Sequence, residues 1–160
     1  MTDEKYFEDF RIGDRFRVPS KTINEAHFLL FSAITGDTHP IHYDVEYAKT
    51  TRFGRPVAHG YLVTVLTAMG ASNLNWAIEQ TIVAFVEQSS RFLKPVFVGD
   101  TLTPQGEVIE LIPGRRQGTV KFRTWVTNQH GDIVLEGTQT YLIKRRQPLD
   151  SAADGSASPA

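Results

Sequence analysis

The sequence predicts an α+β fold in which an antiparallel β-sheet of about five strands wraps around one central buried α-helix. Two observations lead to this prediction. Residues 60–74 are apolar almost all round, which is typical of a buried helix and not of a surface helix. Most of the chain after residue 82 is rich in β-forming residues or alternates apolar with polar residues, as half-buried strands do. A sheet with one apolar face and a helix with no polar face can bury their apolar surfaces against each other.

The front half of the chain is predicted to contain one short strand and two helices. Residues 15–20 form the strand. The first helix is predicted over residues 24–35, because Asn24 is a suitable N-cap, the residues after it give a broad apolar face, and Gly36 then stops the helix. The second helix is the apolar segment 60–74.

The back half of the chain is predicted to form four longer strands joined by turns. The strands cover residues 82–96, 100–113, 119–128 and 133–145. Turns are predicted at G-R-R-Q-G, residues 114–118, and at the hairpin N-Q-H-G-D, residues 128–132. This layout is that of the hot-dog fold, although the layout alone also fits other α+β folds.

The composition limits the domain count and removes several functional classes. The 160 residues suit one domain, which we place at residues 1–146, followed by a small, polar tail at 147–160 that we expect to be disordered. The formal net charge of −1 argues against a nucleic-acid surface, and no apolar run reaches the length of a membrane span. The lack of cysteine excludes disulfides, thiolate catalysis and cysteine-bound metals. The first residues lack the pattern of a signal peptide, so we expect a cytoplasmic protein.

The residues that point to chemistry lie in the stretch 32–50. It reads G-D-T-H-P-I-H from Gly36 to His42, and the small Ala48 follows. This pattern resembles the signature of the MaoC-like dehydratase family, in particular of its (R)-specific (type 2) enoyl-CoA hydratases, which is G-D-x-N-P-x-H followed by a small residue. The sequence departs from that signature at His39, where the family commonly has asparagine.

Two further stretches agree with this resemblance. The segment F-G-R-P-V-A-H-G-Y-L, residues 53–62, looks like the family's lead-in to the central helix. The segment R-F-L-K-P-V-F-V-G-D-T-L, residues 91–102, is similar to a strand and turn common to hot-dog hydratases. The resemblance therefore covers roughly residues 5–145, nearly the whole chain before the polar tail.

The motif contains the residue types that hydration of an enoyl thioester requires. Water must lose a proton as it attacks Cβ, Cα must gain one, and charge on the thioester oxygen must be stabilised. A carboxylate and an imidazole near one water can share the proton transfers, and Asp37 and His42 lie in one loop that Pro40 stiffens. The helix N-terminus near Gly60 offers unpaired backbone N–H groups to the oxygen. The resemblance implies these same roles, and it leaves open whether Asp37 or His42 is the base.

Other residues near the motif are candidates for contact with the substrate. His39 either lines the pocket or faces solvent, and His59 either caps the helix or touches the pocket. Arg52 and Arg55 would attract the phosphates of coenzyme A, and plain surface charge is an equal interpretation. The histidine spacing does not match a common zinc pattern, so we expect no metal. The predicted substrate-binding residues are His39, Pro40, His59, Tyr61, Arg52 and Arg55.

The resemblance implies reversible hydration of a trans-2-enoyl-CoA to an (R)-3-hydroxyacyl-CoA, with no metal or organic cofactor. Two alternatives stay open, namely an acyl-CoA thioesterase of the same fold and a non-catalytic subunit that binds acyl thioesters. The pairing of Asp37 with His42 favours the hydratase over the thioesterase. A bare edge on a long antiparallel sheet predicts at least a homodimer.

Overall fold

The computed structural model describes residues 4–149, and one antiparallel sheet forms its centre. The six strands are β1 (Arg15–Arg17), β2 (Lys21–Thr22), β3 (Ile82–Phe92), β4 (Thr101–Ile112), β5 (Gln117–Thr127) and β6 (Ile133–Lys144). They lie in the order β1–β4–β5–β6–β3, and β2 pairs separately with β4. The predicted antiparallel sheet is confirmed. Most of the predicted tail at 147–160 lies outside the described residues.

Short helices connect the strands. They are α1 (Glu25–Thr35), α2 (Val45–Lys49), α3 (Gly60–Val65) and α4 (Asn75–Ile78), with 3₁₀ turns at Phe7–Asp9, Pro40–His42 and Met69–Ala71. The prediction of α1 is confirmed at both ends. The side chain of Asn24 accepts a hydrogen bond from the backbone N–H of His27 at 3.3 Å, and Gly36 ends the helix with a φ of 73°. Within residues 4–149, no helix has the length and apolar character needed to cross a bilayer.

The predicted helix over residues 60–74 is wrong in length, because α3 ends at Val65. The hydroxyl of Thr67 donates to the carbonyl oxygen of Thr64 at 2.7 Å. The Thr67 hydroxyl and carbonyl oxygens in turn accept hydrogen bonds from Nε2 of Gln139 at 2.9 and 3.2 Å. Side-chain hydrogen bonds of this kind compete with the helical ones, so the chain leaves the helix axis here.

Helix α3 is also less buried than predicted. Leu62 and Val63 are buried against α1 and the sheet. Tyr61 is 75% exposed and Val65 is 54% exposed. The prediction of a helix buried all round is therefore wrong for the single chain, because the sheet and α1 pack against only one side of α3.

The predicted strand boundaries shift where proline removes a backbone donor. The predicted strand 15–20 is shorter than expected, because β1 ends at Arg17, two residues before Pro19, which cannot donate to a neighbouring strand. Strand β2 then begins at Lys21, beyond the predicted range. Strand β3 ends at Phe92 and not at residue 96, because the chain turns just before Pro95. The predicted hairpin turn between β5 and β6 is confirmed. In it, Oδ1 of Asn128 accepts hydrogen bonds from two backbone N–H groups of the turn, each at 3.0 Å.

Two apolar clusters form the core. One lies between the N-terminal segment and the sheet, where the rings of Phe10 and Phe16 pack nearly perpendicular to the ring of Phe122, at centroid distances of 6.1 and 5.4 Å. The other joins α1 and α3 to the sheet, and its residues include Phe28, Leu62, Val63, Val126, Val134 and Leu135. The second cluster holds the end of α1 near the start of α3, and the candidate site lies between them.

Candidate active site

Asp37 lies directly after α1, where Gly36 ends the helix. The N–H of Gly36 donates to the carbonyl oxygen of Ser32 at 2.8 Å, and its left-handed φ turns the chain out of the helix. Oδ1 of Asp37 accepts a hydrogen bond from the backbone N–H of His39 at 3.2 Å, a turn that aspartate side chains favour. The side chain of Asp37 is exposed, so its other lone pairs are free to bind water.

His42 follows in a 3₁₀ turn that begins at Pro40, whose fixed φ suits the first position of a helix. Its Nδ1 lies 2.6 Å from the carbonyl oxygen of Val57. Because a carbonyl oxygen only accepts hydrogen bonds, Nδ1 must carry the proton, and Nε2 keeps its lone pair. The hydrogen bond therefore selects the tautomer that lets Nε2 act as a base.

His59 lies beneath the ring of His42. The two imidazoles are stacked, with centroids 3.7 Å apart and an interplanar angle of 25°. His59 is only 2% exposed, and its Nε2 lies 3.2 Å from the hydroxyl of Ser32 on α1. Burial and then the neighbouring His42 lower the pKa of His59, and the main chain and carboxylate of Asp37 oppose this shift only in part. His59 is therefore a neutral, fixed ring that supports His42.

The side chains of Asp37, His42 and His59 converge on one place. Each offers one carboxylate oxygen or ring nitrogen, and these atoms lie within 4.8 Å of one another. A water at that place can contact both a carboxylate and an imidazole, which is what shared proton transfer requires. The group also has the number of ligands of a metal site. However, an imidazole lone pair lies in its ring plane, and two nearly parallel planes do not meet at a single ion, so the stacking disfavours a metal.

Gly60 follows His59 and opens α3. Its backbone N–H has no hydrogen-bond acceptor within the described range 4–149, as expected for the first turn of a helix. The ring of Phe92, at the end of β3, lies against Gly60 so closely that a Cβ there would be 2.9 Å from Cζ of the ring. Because Gly60 has no side chain, there is room both for the Phe92 ring and for a hydrogen-bond acceptor to reach the free N–H.

Two cavities flank these residues. The first, of about 300 Å³, lies beside Gly60 and is lined by Arg52, Phe53, Val63, Phe92, Lys94 and Val134, among others. The second, of about 450 Å³, lies beside His42 and is lined by residues that include Phe28, Leu29, Tyr43, Arg55 and Val98. The two cavities provide apolar space on either side of the converging polar groups, with one arginine at each.

The other predicted residues are placed differently. Arg52 and Arg55 lie over the rings of Phe53 and Phe97, at 4.8 and 4.0 Å from the ring centroids. Tyr61 is not among the residues that line either cavity.

His39 is exposed and caps the 3₁₀ turn instead of lining a cavity. The sequence reasoning missed Ser32 and Phe92. Both lie in the stretches that carry the family resemblance, but their contacts are made across the fold.

Comparison with known proteins agrees with the family that the sequence resembles. The family profile described as "MaoC like domain" matches residues 9–130. The chain is 35% identical over 141 residues to the (R)-specific enoyl-CoA hydratase of Rhodospirillum rubrum, covering 88% of this chain and 93% of that protein.

Solved structures show the same fold. An (R)-hydratase from A. caviae, described as involved in PHA biosynthesis, superimposes with a TM-score of 0.72 at 29% identity, covering 86% of this chain and 98% of that one. A Mycobacterium tuberculosis protein described as having a double hot-dog fold gives a TM-score of 0.75 at 22% identity, covering 98% of this chain and 52% of that one. The predicted hot-dog fold is thereby confirmed.

Proposed function

Because the chain belongs to the MaoC-like domain family, we propose that it is an (R)-specific enoyl-CoA hydratase. It adds water reversibly to a trans-2-enoyl-CoA and forms an (R)-3-hydroxyacyl-CoA. One observation in the structure carries this proposal. The carboxylate of Asp37 and the ring of His42 converge beside His59, and the free N–H of Gly60 follows directly in the chain.

In the proposed mechanism, Asp37 and Nε2 of His42 hold one water between them. As the water oxygen attacks Cβ, the pair takes up its proton, and the electrons of the double bond move toward the thioester carbonyl. The N–H of Gly60 donates to the thioester oxygen, where negative charge develops. A proton is then delivered from the pair to Cα, which completes the addition and restores the site. The reverse sequence dehydrates the hydroxyacyl thioester.

This mechanism uses only side chains and a backbone amide, so we propose that it needs no metal or organic cofactor. The fixed hydrogen bond from Nδ1 of His42 to Val57 supports this view, since it leaves one nitrogen ready for proton transfer. Activity that survives dialysis against a chelator would agree with it. Activity that is lost on chelation and returns with an added divalent ion would overturn it.

The remaining predicted residues are proposed to serve substrate binding. Arg52 and Arg55 would attract the phosphates of coenzyme A, and this is supported by the exposure of both side chains and by their position at the edge of one cavity each. Reversal of both charges is expected to raise KM for crotonyl-CoA, and an unchanged KM would remove this role. Pro40 is proposed to serve substrate binding indirectly, by stiffening the loop that carries Asp37 and His42. Tyr61 is proposed to contribute because it is next to Gly60 in the chain.

We also propose that two copies of the chain associate. Strand β3 is at the edge of the sheet order and is 11 residues long, so it offers a row of backbone groups for pairing. Large apolar side chains are exposed on α1, α3 and β3, namely Leu29, Leu30, Ile34, Tyr61, Val65, Phe85 and Val86. A second copy would cover this surface, and a monomeric mass by light scattering would overturn the proposal. The cytoplasmic location stays a prediction.

The first test is the loss of enoyl absorbance with crotonyl-CoA for the wild type and for Asp37→Asn. The asparagine keeps the shape of the side chain but cannot take a proton, so we expect the rate to fall by roughly 10²- to 10⁴-fold. Asp44→Asn is a matched control, because Asp44 caps α2 through the N–H of Tyr47 and asparagine caps equally well.

The outcome separates the possible functions. The hydratase would be supported by a fast loss of absorbance in the wild type and the control, an almost constant absorbance in Asp37→Asn, and no release of free thiol. Release of free thiol would instead indicate a thioesterase. No turnover of short, branched or dicarboxylic enoyl-CoA substrates would favour a non-catalytic binding subunit.

A further inference from the structure

His39 occupies the position at which the motif departs from the family pattern, and it makes a defined local contact. Its Nδ1 accepts a hydrogen bond from the backbone N–H of Ile41 at 3.2 Å. His39 is the N-cap of the 3₁₀ turn that contains His42, and its backbone is extended, with a ψ of 127°. An asparagine side chain commonly accepts the same hydrogen bond from the N–H two residues ahead. The imidazole therefore replaces an amide oxygen as the cap of the catalytic loop.

The two side chains differ in one property that matters for this contact. The amide of asparagine does not titrate, whereas a protonated imidazole carries a hydrogen on both ring nitrogens. On protonation Nδ1 of His39 becomes a donor and faces the donor N–H of Ile41. The hydrogen bond is then lost, and solvent protons reach the ring freely because it is exposed.

The groups that face His39 determine the effect of the added charge. The ring of His42 lies edge-on to it, with centroids 6.3 Å apart, and the Tyr47 ring of α2 lies 5.8 Å away. The carboxylate of Asp37 accepts from the backbone N–H of His39. A positive ring at this place therefore adds charge beside both the carboxylate of Asp37 and the ring of His42.

We propose that His39 is a positioning residue whose neutral form caps the loop that carries Asp37 and His42, so that acidification uncaps the loop and lowers the activity. The part of this inference that concerns activity rests on the proposed hydratase function. The part that concerns the loop does not. With a neutral His39 ring the cap is intact, and with a protonated ring the cap is lost.

The test compares the pH dependence of kcat/KM for the wild type, His39→Asn and His27→Asn, each divided by its own value at pH 8. His27 is the matched control, because its Nδ1 also accepts a backbone N–H, that of Asn24, at the start of α1. His27→Asn keeps both His39 and His42, so only His39→Asn removes the contribution of the His39 ring. A helix cap is worth a factor of about five, so we expect the wild type to lose about fivefold more activity than His39→Asn between pH 8 and pH 5.5. His27→Asn should follow the wild type.

A second measurement does not depend on catalysis. In the wild type, hydrogen exchange at the Ile41 amide is expected to accelerate as the pH falls, relative to the intrinsic exchange rate of an unprotected amide. In His39→Asn the protection should stay constant. If the normalised profiles of the wild type and His39→Asn coincide, or if Ile41 protection does not change with pH in the wild type, the proposal is overturned. If no variant hydrates an enoyl-CoA, the proposed function fails, and the exchange measurement still decides the role of His39.

Discussion

Replacement of Gly60 by alanine tests whether the close approach between α3 and Phe92 serves the site or the stability of the fold. The φ of Gly60 is not among the positive values in the chain, so alanine is compatible with the backbone. The new Cβ would lie 2.9, 3.0 and 3.1 Å from Cζ, Cε1 and Cε2 of the Phe92 ring. Ordinary contacts begin at 3.4 Å, so the ring must retreat by at least about 0.5 Å.

The expected loss of stability is small. The atoms in question are at the far end of the Phe92 side chain, and this side chain is 55% exposed, so the ring has room to rotate. We expect a cost near the lower end for overpacking, about 1 kcal/mol, which lowers Tm by about 2–4 °C in a chain of this size.

The expected loss of activity is larger. Movement of the ring changes the wall of the cavity that it lines, and the new methyl group stands beside the N–H that would bind the thioester oxygen. Misplacement of a substrate by about 1 Å costs about 10²-fold in rate, and we expect a fall in kcat/KM of that order.

The assay combines thermal unfolding with hydration of crotonyl-CoA for Gly60→Ala, Phe92→Leu and the double variant. Leucine removes the ring atoms that meet the new Cβ, so the alanine should cost less stability in the Phe92→Leu background than in the wild type. An equal loss of Tm in both backgrounds would show that the ring contact is not the cause. A large loss of Tm with an unchanged rate for the folded protein would refute the role of Gly60 in the site.

Two other predictions concern the sheet. In Gly137→Ala the new Cβ would overlap the backbone carbonyl oxygen of Ser89 on the neighbouring strand, and this backbone oxygen cannot rotate away. We expect the free energy of unfolding to fall by at least about 3 kcal/mol. The corresponding fall in Tm is at least about 6 °C. A loss below about 1 kcal/mol would contradict this. Burial raises the pKa of Tyr141 from 10.0 to about 12. Between these pH values the Tyr141 hydroxyl ionises only in the unfolded state. The free energy of unfolding should therefore fall by up to about 2–3 kcal/mol as the pH rises from 10 to 12. Tyr141→Phe should lack this part of the decline in denaturant titrations, and an identical decline in both proteins would rule it out.

The sequence predicted the elements whose signals are local. Helix α1 begins and ends where its cap residues indicated, because Asn24 and Gly36 act on their own backbone neighbours. The loop stiffened by Pro40 was predicted for the same reason, although the 3₁₀ turn within it was not. The length of the second helix was not, because it ends where Gln139, a residue of another strand, bonds to Thr67.

For the candidate site, too, the sequence predicted what depends on local residues and not the contacts made across the fold. The motif alone indicated Asp37 and His42, and the structure brings these side chains together, while their catalytic roles stay predictions. The sequence also indicated that Gly60 opens a helix, but it did not show that Phe92 packs on it.

The sequence by itself determined the family, the order of the strands along the chain and the loop that carries the polar pair. The family follows from the resemblance of the motif, and the other two features depend on alternation, capping and stiffening among residues that are close in the chain. Only the tertiary structure decided which nitrogen of His42 is free, through the carbonyl of Val57, and which ring supports it, through the burial of His59 against α1. These contacts join segments that meet only when α1 and α3 pack on the sheet, so no local pattern records them.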